Sequence, residues 1–374
     1  MKKSVRPAAG ETVSLRAHVV VIGGGPSGAT AARTLAKQGV SAVLIEKNLH
    51  YEKPCGGGLF RSAFAEFDIP DELCLKEVDT ITLVSPTHKR VDVELIEEMI
   101  GIVHRSGFDA SLRQLAVDDG AELIEGRCVS IVEKDGGIVV GVKTADRELS
   151  VEACYCIAAD GVNSFARKKL TSTSGAKTLT LYKNLPGRKV RSCEFWLGSD
   201  IAPGHYAWNF PHSTGSSIGT IAADTHTIHR YFEKFSNNFE QDIKPKGFYI
   251  PSYRGDLFYA KHTFFTGDAA GLVMPFTYEG IYYAMKSGRL AAEAIIKDDP
   301  HSYEMEWKRL YHKRFRFMNL LQRIFMRYDR MGEFLVKVLK KPSVAQSALR
   351  YWRGESEPLS FWSTVIKVLK LLYR

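Results

Sequence analysis

The sequence predicts an α/β protein in which a nucleotide-binding βαβ unit comes first. An antiparallel sheet is inserted later, and a helical, basic region ends the chain. Three observations carry this prediction. The run His18-Val19-Val20-Val21-Ile22 reads as a buried strand leading straight into Gly23-Gly24-Gly25-Pro26-Ser27-Gly28. A second strand, Ser41 to Ile45, ends in an acid, Glu46, about 20 residues downstream. Residues 176–260 hold short aromatic runs between turn signals, whereas 281–297 and 301–374 read as helical.

The first unit justifies itself chemically. Gly23, Gly25 and Gly28 fit G-x-G-x-x-G. Gly23 permits the tight turn, Gly25 admits a pyrophosphate to the backbone, and Gly28 lets the helix pack on the strand. The anion then meets a helix N-terminus, whose unpaired N–H groups favour negative charge. Glu46 stands where an acid holds a ribose hydroxyl pair. Together these define a Rossmann-like domain.

The remaining elements follow in order. Residues 1–15 read as a flexible lead, and Tyr51 to Gly58 as a loop with three successive glycines. Residues 79–96 alternate apolar and polar, as a sheet-forming excursion does. Phe108 to Ala116 reads as a helix, and 121–157 as strands with a turn at Asp135-Gly136-Gly137. The chain returns to the first domain at Phe264-Phe265-Thr266-Gly267-Asp268. The expected division is therefore 16–78, 98–170 and 261–300 for the nucleotide-binding domain, 79–97 and 171–260 for a substrate-binding domain, and 301–374 for the basic helical region.

Composition sets the outer limits. The chain has 374 residues, 45% hydrophobic and 25% charged, ordinary values for a globular protein of two domains. Six cysteines show neither C-x-x-C nor zinc spacing, so no metal site is expected, and most are expected to be small buried hydrophobes in a reducing compartment. No apolar run reaches the length of a transmembrane helix, and Met1-Lys2-Lys3 is not followed by the apolar core of a signal peptide, which places the protein in the cytoplasm. The net charge is +9, and residues 301–374 carry 16 Lys and Arg against 6 Asp and Glu. The tail segment Phe361 to Arg374 sets lysines within an apolar and aromatic run. That suits either an interfacial helix on the inner face of an anionic membrane or a docked helix with lysines reaching outward. No nucleic-acid module accompanies it, so nucleic acid is not an expected partner.

Further segments bear on the cofactor. Cys156 to Ser164 carries an Asp160-Gly161 turn after a strand. Thr266-Gly267-Asp268-Ala269-Ala270-Gly271 is followed by Pro275 and Glu279-Gly280-Ile281, so an acid at a strand end precedes backbone N–H groups that suit the polar edge of a ring. Arg105 lies three residues before Phe108-Asp109. With the first glycine motif, Asp160-Gly161 and Gly267-Asp268 resemble the flavoprotein fold of p-hydroxybenzoate hydroxylase and its relatives, which bind FAD rather than NAD. Within that group, Lys53-Pro54-Cys55-Gly56-Gly57 and Tyr206-Ala207-Trp208-Asn209-Phe210-Pro211 resemble the geranylgeranyl reductase family over roughly residues 17–300.

The resemblance implies a cofactor set. Gly23, Gly25, Ser27 and Gly28 meet the pyrophosphate, and Glu46 with its neighbour Lys47 meets the adenosine ribose. Cys55, Gly56 and Gly57 lie beside the flavin. Arg105 and the backbone at Val129 contact the ribityl-phosphate and adenine regions. Asp160 belongs to the same set, and Asp268, Gly280 and Ile281 hold the ribityl chain and ring edge. Tyr278 departs from the family, which has a small residue there, and is expected to narrow the pocket or change the substrate.

Tyr206, Trp208 and Phe210 alternate, so on a strand they share one face, either an aromatic core face or a wall for a polyprenyl lipid or prenyl diphosphate. The implied reaction is saturation of a C=C bond by hydride from reduced FAD. Cys55 is the candidate proton relay or shaping thiol, and Tyr206 an alternative donor. The electron source is not legible: NAD(P)H, ferredoxin and reduced flavin all stay open. Two rivals share the fold. A flavin monooxygenase or halogenase is one, though a halogenase is expected to show W-x-W-x-I-P. A prenyl-lipid carrier like the Rab escort and dissociation-inhibitor proteins is the other, and the intact glycines, Glu46 and Asp268 speak against it.

Overall fold

The computed structural model describes residues 13–239 and 244–355. Its first sheet is built around the strand Val13–Ile22, which pairs in parallel with Ala42–Glu46 on one side and Glu148–Ala158 on the other. Val19, Val20 and Val21 are fully buried, because a parallel strand covered on both faces must be apolar throughout. Glu122–Glu125 extends the parallel array beyond Ala42–Glu46, and Thr263–Phe265 extends it beyond Glu148–Ala158. The hairpin of Arg127–Lys134 and Gly137–Lys143 adds to the N-terminal half of Glu148–Ala158, turning at Gly136 with φ +77°. Helices Pro26–Lys37, Arg105–Asp118 and Ile281–Ile296 pack together beside this sheet.

Two expectations change. The first strand begins at Val13, inside the expected flexible lead, because Glu148–Ala158 is long enough to pair with Val13, Ser14 and Leu15. Of the six cysteines only Cys156 and Cys193 are buried, and all six are free thiols. Cys154 and Cys156 lie on one strand, but the alternation of side chains puts Cys154 near solvent, and the other three sit at half-exposed sites.

The second sheet has seven strands, in the order Lys246–Pro251, Lys177–Pro186, Gly215–Ala222, Ala207–His212, Cys193–Trp196, Thr80–Val84 and Arg90–Glu94. The excursion at 79–96 therefore supplies its last two strands, and Cys193–Trp196 runs parallel to Thr80–Val84. A small third sheet joins Gly58–Phe60, Ile100–Ile102 and Lys76–Val78. It fixes the glycine turn that precedes it.

The chain ends in helices Pro300–Trp307, Lys313–Phe325, Asp329–Leu339 and Pro342–Arg353, with a π-helical turn at Lys308–His312 joining the first two. Their buried faces, including Trp307, Phe315, Leu335 and Leu349, belong to the same core as the sheets. The tail at 361–374 lies outside the described residues. Among those described, no helix is long and apolar enough to cross a membrane.

Candidate active site

The glycine motif is held by contacts that allow nothing larger. Gly23 has φ +102°, and a Cβ there would lie 2.4 Å from the Ala159 carbonyl oxygen. A Cβ on Gly28 would lie 1.9 Å from the Gly23 oxygen. Gly25 is different: nothing lies within 4 Å of where its Cβ would be. It is the N-cap of helix Pro26–Lys37, and no side chain caps that helix, so its first N–H groups are left for an anion. Ser27 Oγ is buried with no hydrogen-bond partner. Its hydroxyl lies against Gly267 and Gly288, so it also packs this helix on Ile281–Ile296.

Glu46 ends its strand and accepts a hydrogen bond from Gly24 N at 2.7 Å and from Asn48 N at 3.0 Å. Arg113, which sequence reasoning missed, reaches the same place: its buried guanidinium donates to the Gly24 and Leu49 carbonyls. A buried arginine in the third turn of a helix carries no local signal of that use. Lys47 is exposed beside the turn. Val129 falls at a shift in register between Arg127–Lys134 and Gly137–Lys143, where Cys128 and Ser130 have partners and Val129 has none. Its backbone is thereby free of that ladder. Asp160 uses both carboxylate oxygens on the helix that follows, accepting from Ser164 Oγ and from Ala166 N. Burial pushes its carboxyl up, against those bonds.

The other expected residues meet around one cavity of about 170 Å³. Cys55, Gly56, Gly57, Arg105, Tyr206, Trp208, Phe210, Asp268, Gly280 and Ile281 all line it. Gly57, at φ +74°, sits under the Val103 carbonyl and donates its N–H toward Cys55 Sγ at 3.4 Å. Arg105 opens its helix and forms a two-point ion pair with Asp109, at 2.9 and 2.7 Å, both groups buried. Its guanidinium also faces the Cys55 thiol. Asp268 is ion-paired with Lys53. Gly280 caps helix Ile281–Ile296 without a side-chain bond, leaving that N-terminus open to the cavity.

The opposite wall is aromatic. Trp208 pairs across the sheet with Phe195, whose ring centroid lies 5.0 Å from those of Tyr206 and Phe210. Alternation along one strand and register across to the next bring these rings to one face. Gly56 closes the gap between the walls: a Cβ there would come within 2.5 Å of the Phe210 ring. Tyr206 donates its hydroxyl to the Thr277 carbonyl at 2.7 Å. The proton expected as an alternative donor is thus committed to holding the loop before helix Ile281–Ile296, and burial pushes this hydroxyl well up.

That loop is strained. Phe276 and Tyr278 both take positive φ, +74° and +54°, which side chains other than glycine's seldom adopt. Gln322 holds the loop by accepting from Phe276 N and donating to the Tyr278 hydroxyl, which also bonds His205. Burial drives the His205 imidazole down to about 4. Tyr278 therefore reaches both the cavity wall and the helix Lys313–Phe325. Glu279 follows it into the cavity and accepts from Trp352 Nε1 at 3.2 Å, and burial pushes its carboxyl up to about 7. Its adjacency to Gly280-Ile281 gave no sign of this. Trp352 packs on Phe60 at 4.9 Å and roofs the cavity. Beyond it lies a second cavity of about 110 Å³, apolar and lined by Leu83, Phe276, Met318, Leu321, Phe334 and Leu349 among others; Phe195, Thr277 and Trp352 border both.

The open Gly25 N-cap, the uncapped helix at Gly280 and the acids at Glu46 and Asp268 fit FAD. Fold and cavity together define an FAD-dependent oxidoreductase. Residues 17–195 match the pyridine nucleotide-disulphide oxidoreductase family model. The chain is 31% identical over 361 residues to the chloroplastic geranylgeranyl diphosphate reductase of Oryza sativa subsp. japonica, covering 86% of this chain and 78% of that protein. It is 33% identical over 293 residues to the geranylgeranyl diphosphate reductase of Rhodobacter capsulatus, with 74% of each covered. Its fold matches that of a geranylgeranyl bacteriochlorophyll reductase-like protein from Thermoplasma acidophilum, with TM-score 0.80 at 24% identity over 88% of this chain and 92% of that one. The chain belongs to the geranylgeranyl reductase family, FAD-dependent reductases of prenyl chains.

Proposed function

We propose that a prenyl chain is reduced between the Cys55 turn and the aromatic strand, and that the two cavities form one path for it. The observation that carries this reading is the contact of Gly56 with Phe210, which sets the glycine turn against the aromatic wall. When bound, reduced FAD supplies a hydride to one carbon of an alkene. The chain's own residues do the rest. Gly23, Gly25 and Gly28 hold the pyrophosphate, Glu46 the ribose, Asp268 the ribityl chain, and the N–H groups at Gly280 and Ile281 the ring edge. Arg105 and the Val129 backbone hold the phosphate and adenine parts.

An isolated alkene accepts hydride poorly, so alignment and exclusion of water matter most. Tyr206, Trp208, Phe210 and Phe195 offer the flat apolar area that aligns it. Cys55, which faces the Arg105 guanidinium in the cavity lining, orients the alkene at the reacting end. The second cavity, walled by Leu83, Leu321 and Leu349, takes the distal isoprene units. The monooxygenase reading gains nothing from the aromatic wall or from the apolar second cavity beyond Trp352.

We further infer that the C-terminal region rests on an anionic membrane surface. Lys313, Arg316 and Arg323 on one helix, Arg327 just past its end and Arg330 at the start of the next are exposed, as are Leu320 and Tyr328, at 48% and 59%. Cations flanking exposed apolar groups suit such a surface.

The test of function is anaerobic. Chemically reduced, FAD-loaded protein is mixed with geranylgeranyl diphosphate and the lipid is weighed by mass spectrometry. Gain of two hydrogens per reduced bond supports the reading, whereas oxygen incorporation in an aerobic parallel would favour a monooxygenase.

A further inference from the structure

We infer that Glu279 is the general acid of this reaction, delivering the proton to the alkene carbon that does not receive the hydride. The inference rests on the prenyl-reductase reading of the cavity and names its proton source.

Three observations support it. Glu279 lines the same cavity as Cys55, Tyr206 and Trp208, and it is hydrogen-bonded to Trp352, which borders both cavities. It is aimed there by a costly backbone: the positive φ of Phe276 and Tyr278 turns the loop inward, and Gln322, Tyr206 and the Met274 N–H to Glu279 carbonyl bond hold it. Among the described residues, Trp352 is the one side chain hydrogen-bonded to its carboxyl, on Oε2.

The charge environment suits a donor. Arg314, from helix Lys313–Phe325, faces Glu279 and favours its ionised form, as does Trp352. Burial outweighs both, so the carboxyl keeps its proton to about pH 7. Tyr283 on the following helix and Tyr206 on the aromatic strand also face it. The other charged groups of the cavity are already paired, Lys53 with Asp268 and Arg105 with Asp109. Tyr206 has committed its proton to Thr277.

The step balances. Reduced FAD, when bound, would supply the hydride and both electrons for one C–H bond. The alkene π pair takes the Glu279 proton to form the second C–H bond, and the carboxyl O–H breaks. Trp352 and Arg314 steady the carboxylate until a solvent proton restores it. An external two-electron reductant returns the flavin.

Two experiments decide the matter. In the first, dithionite-reduced holoenzyme is mixed anaerobically with geranylgeranyl diphosphate, and return of oxidised-flavin absorbance is followed against pH. Wild type is expected to lose rate above about pH 7. Glu279→Gln, which still accepts from Trp352, should keep its FAD and slow about 10²- to 10⁴-fold, without that alkaline limb. Cys55→Ala should slow while retaining the limb. A wild-type rate with the limb intact in Glu279→Gln would overturn the inference and leave the reductase reading standing. If wild type itself reduces no alkene, both fall.

The second experiment needs no turnover. A carboxyl raised in the folded state makes folding weaken as pH climbs from about 4.5 to about 7. The melting temperature of the FAD-loaded Glu279→Gln protein should therefore exceed that of the wild-type holoprotein above pH 7, and the gap should close below pH 5. Parallel curves would show that Glu279 is not held protonated, and would overturn the proposal.

Discussion

A methyl group on Gly56 would press into the Phe210 ring, so one missing carbon lets the cofactor turn and the aromatic wall meet. Gly56→Ala is expected to push that ring aside at a cost of about 1–3 kcal/mol and to raise KM for a prenyl substrate roughly tenfold or more, with FAD content unchanged. Titration of FAD and steady-state kinetics check both halves. Gly28→Ala should act on the cofactor instead, because its Cβ would strike the Gly23 carbonyl; loss of bound flavin in the purified protein is the expected result. Cys55→Ala should keep FAD and lower turnover sharply, and unchanged turnover would remove Cys55 from the mechanism. At this scale the sequence was readable wherever chemistry is local. The three glycines and Glu46 announce themselves by spacing. Arg113, Lys53 and Glu279 do not, since their partners lie 89, 215 and 73 residues away.

Among the elements, the strained loop from Pro275 to Gly280 links the aromatic strand to two C-terminal helices. It holds Tyr206 from the aromatic strand, Gln322 from one C-terminal helix and Trp352 from another. Tyr278, expected to crowd the pocket, is drawn to His205 and Gln322, and so ties the loop to helix Lys313–Phe325. The helices 313–353 thereby wall the second cavity. Ala348→Trp, which fills the second cavity, should leave short prenyl diphosphates as substrates and reject geranylgeranyl chains; kcat/KM across a chain-length series measures this. The aromatic alternation was legible because strand period alone dictates a shared face. The second cavity was not, because helical apolar stripes at 313–353 show that something is buried without showing that a void remains between them.

For the whole molecule, the dominant asymmetry is electrical. The basic surplus gathers in residues 301–374, which carry 16 Lys and Arg against 6 Asp and Glu. Arg323→Glu with Arg327→Glu should weaken binding to anionic vesicles while leaving neutral vesicles unaffected, and removal of residues 355–374 should weaken it further; sedimentation with vesicles reads both. Retained binding in the truncated, charge-reversed protein would count against the membrane contact. The parallel core and its cofactor motif were legible from the first fifty residues. The order and register of a second sheet built from 80–94 and 177–251 were not, because no local pattern encodes a pairing across about a hundred residues.

The account turns on an alkene being saturated in the space between Cys55 and Trp208. A structure of the FAD-loaded protein with a geranylgeranyl chain bound tests it most directly. The account predicts the flavin ring against Cys55–Gly57, an alkene between it and the Trp208 face, and the distal chain running past Trp352 toward Leu321. A ring placed elsewhere, or a chain lying outside both cavities, would contradict it.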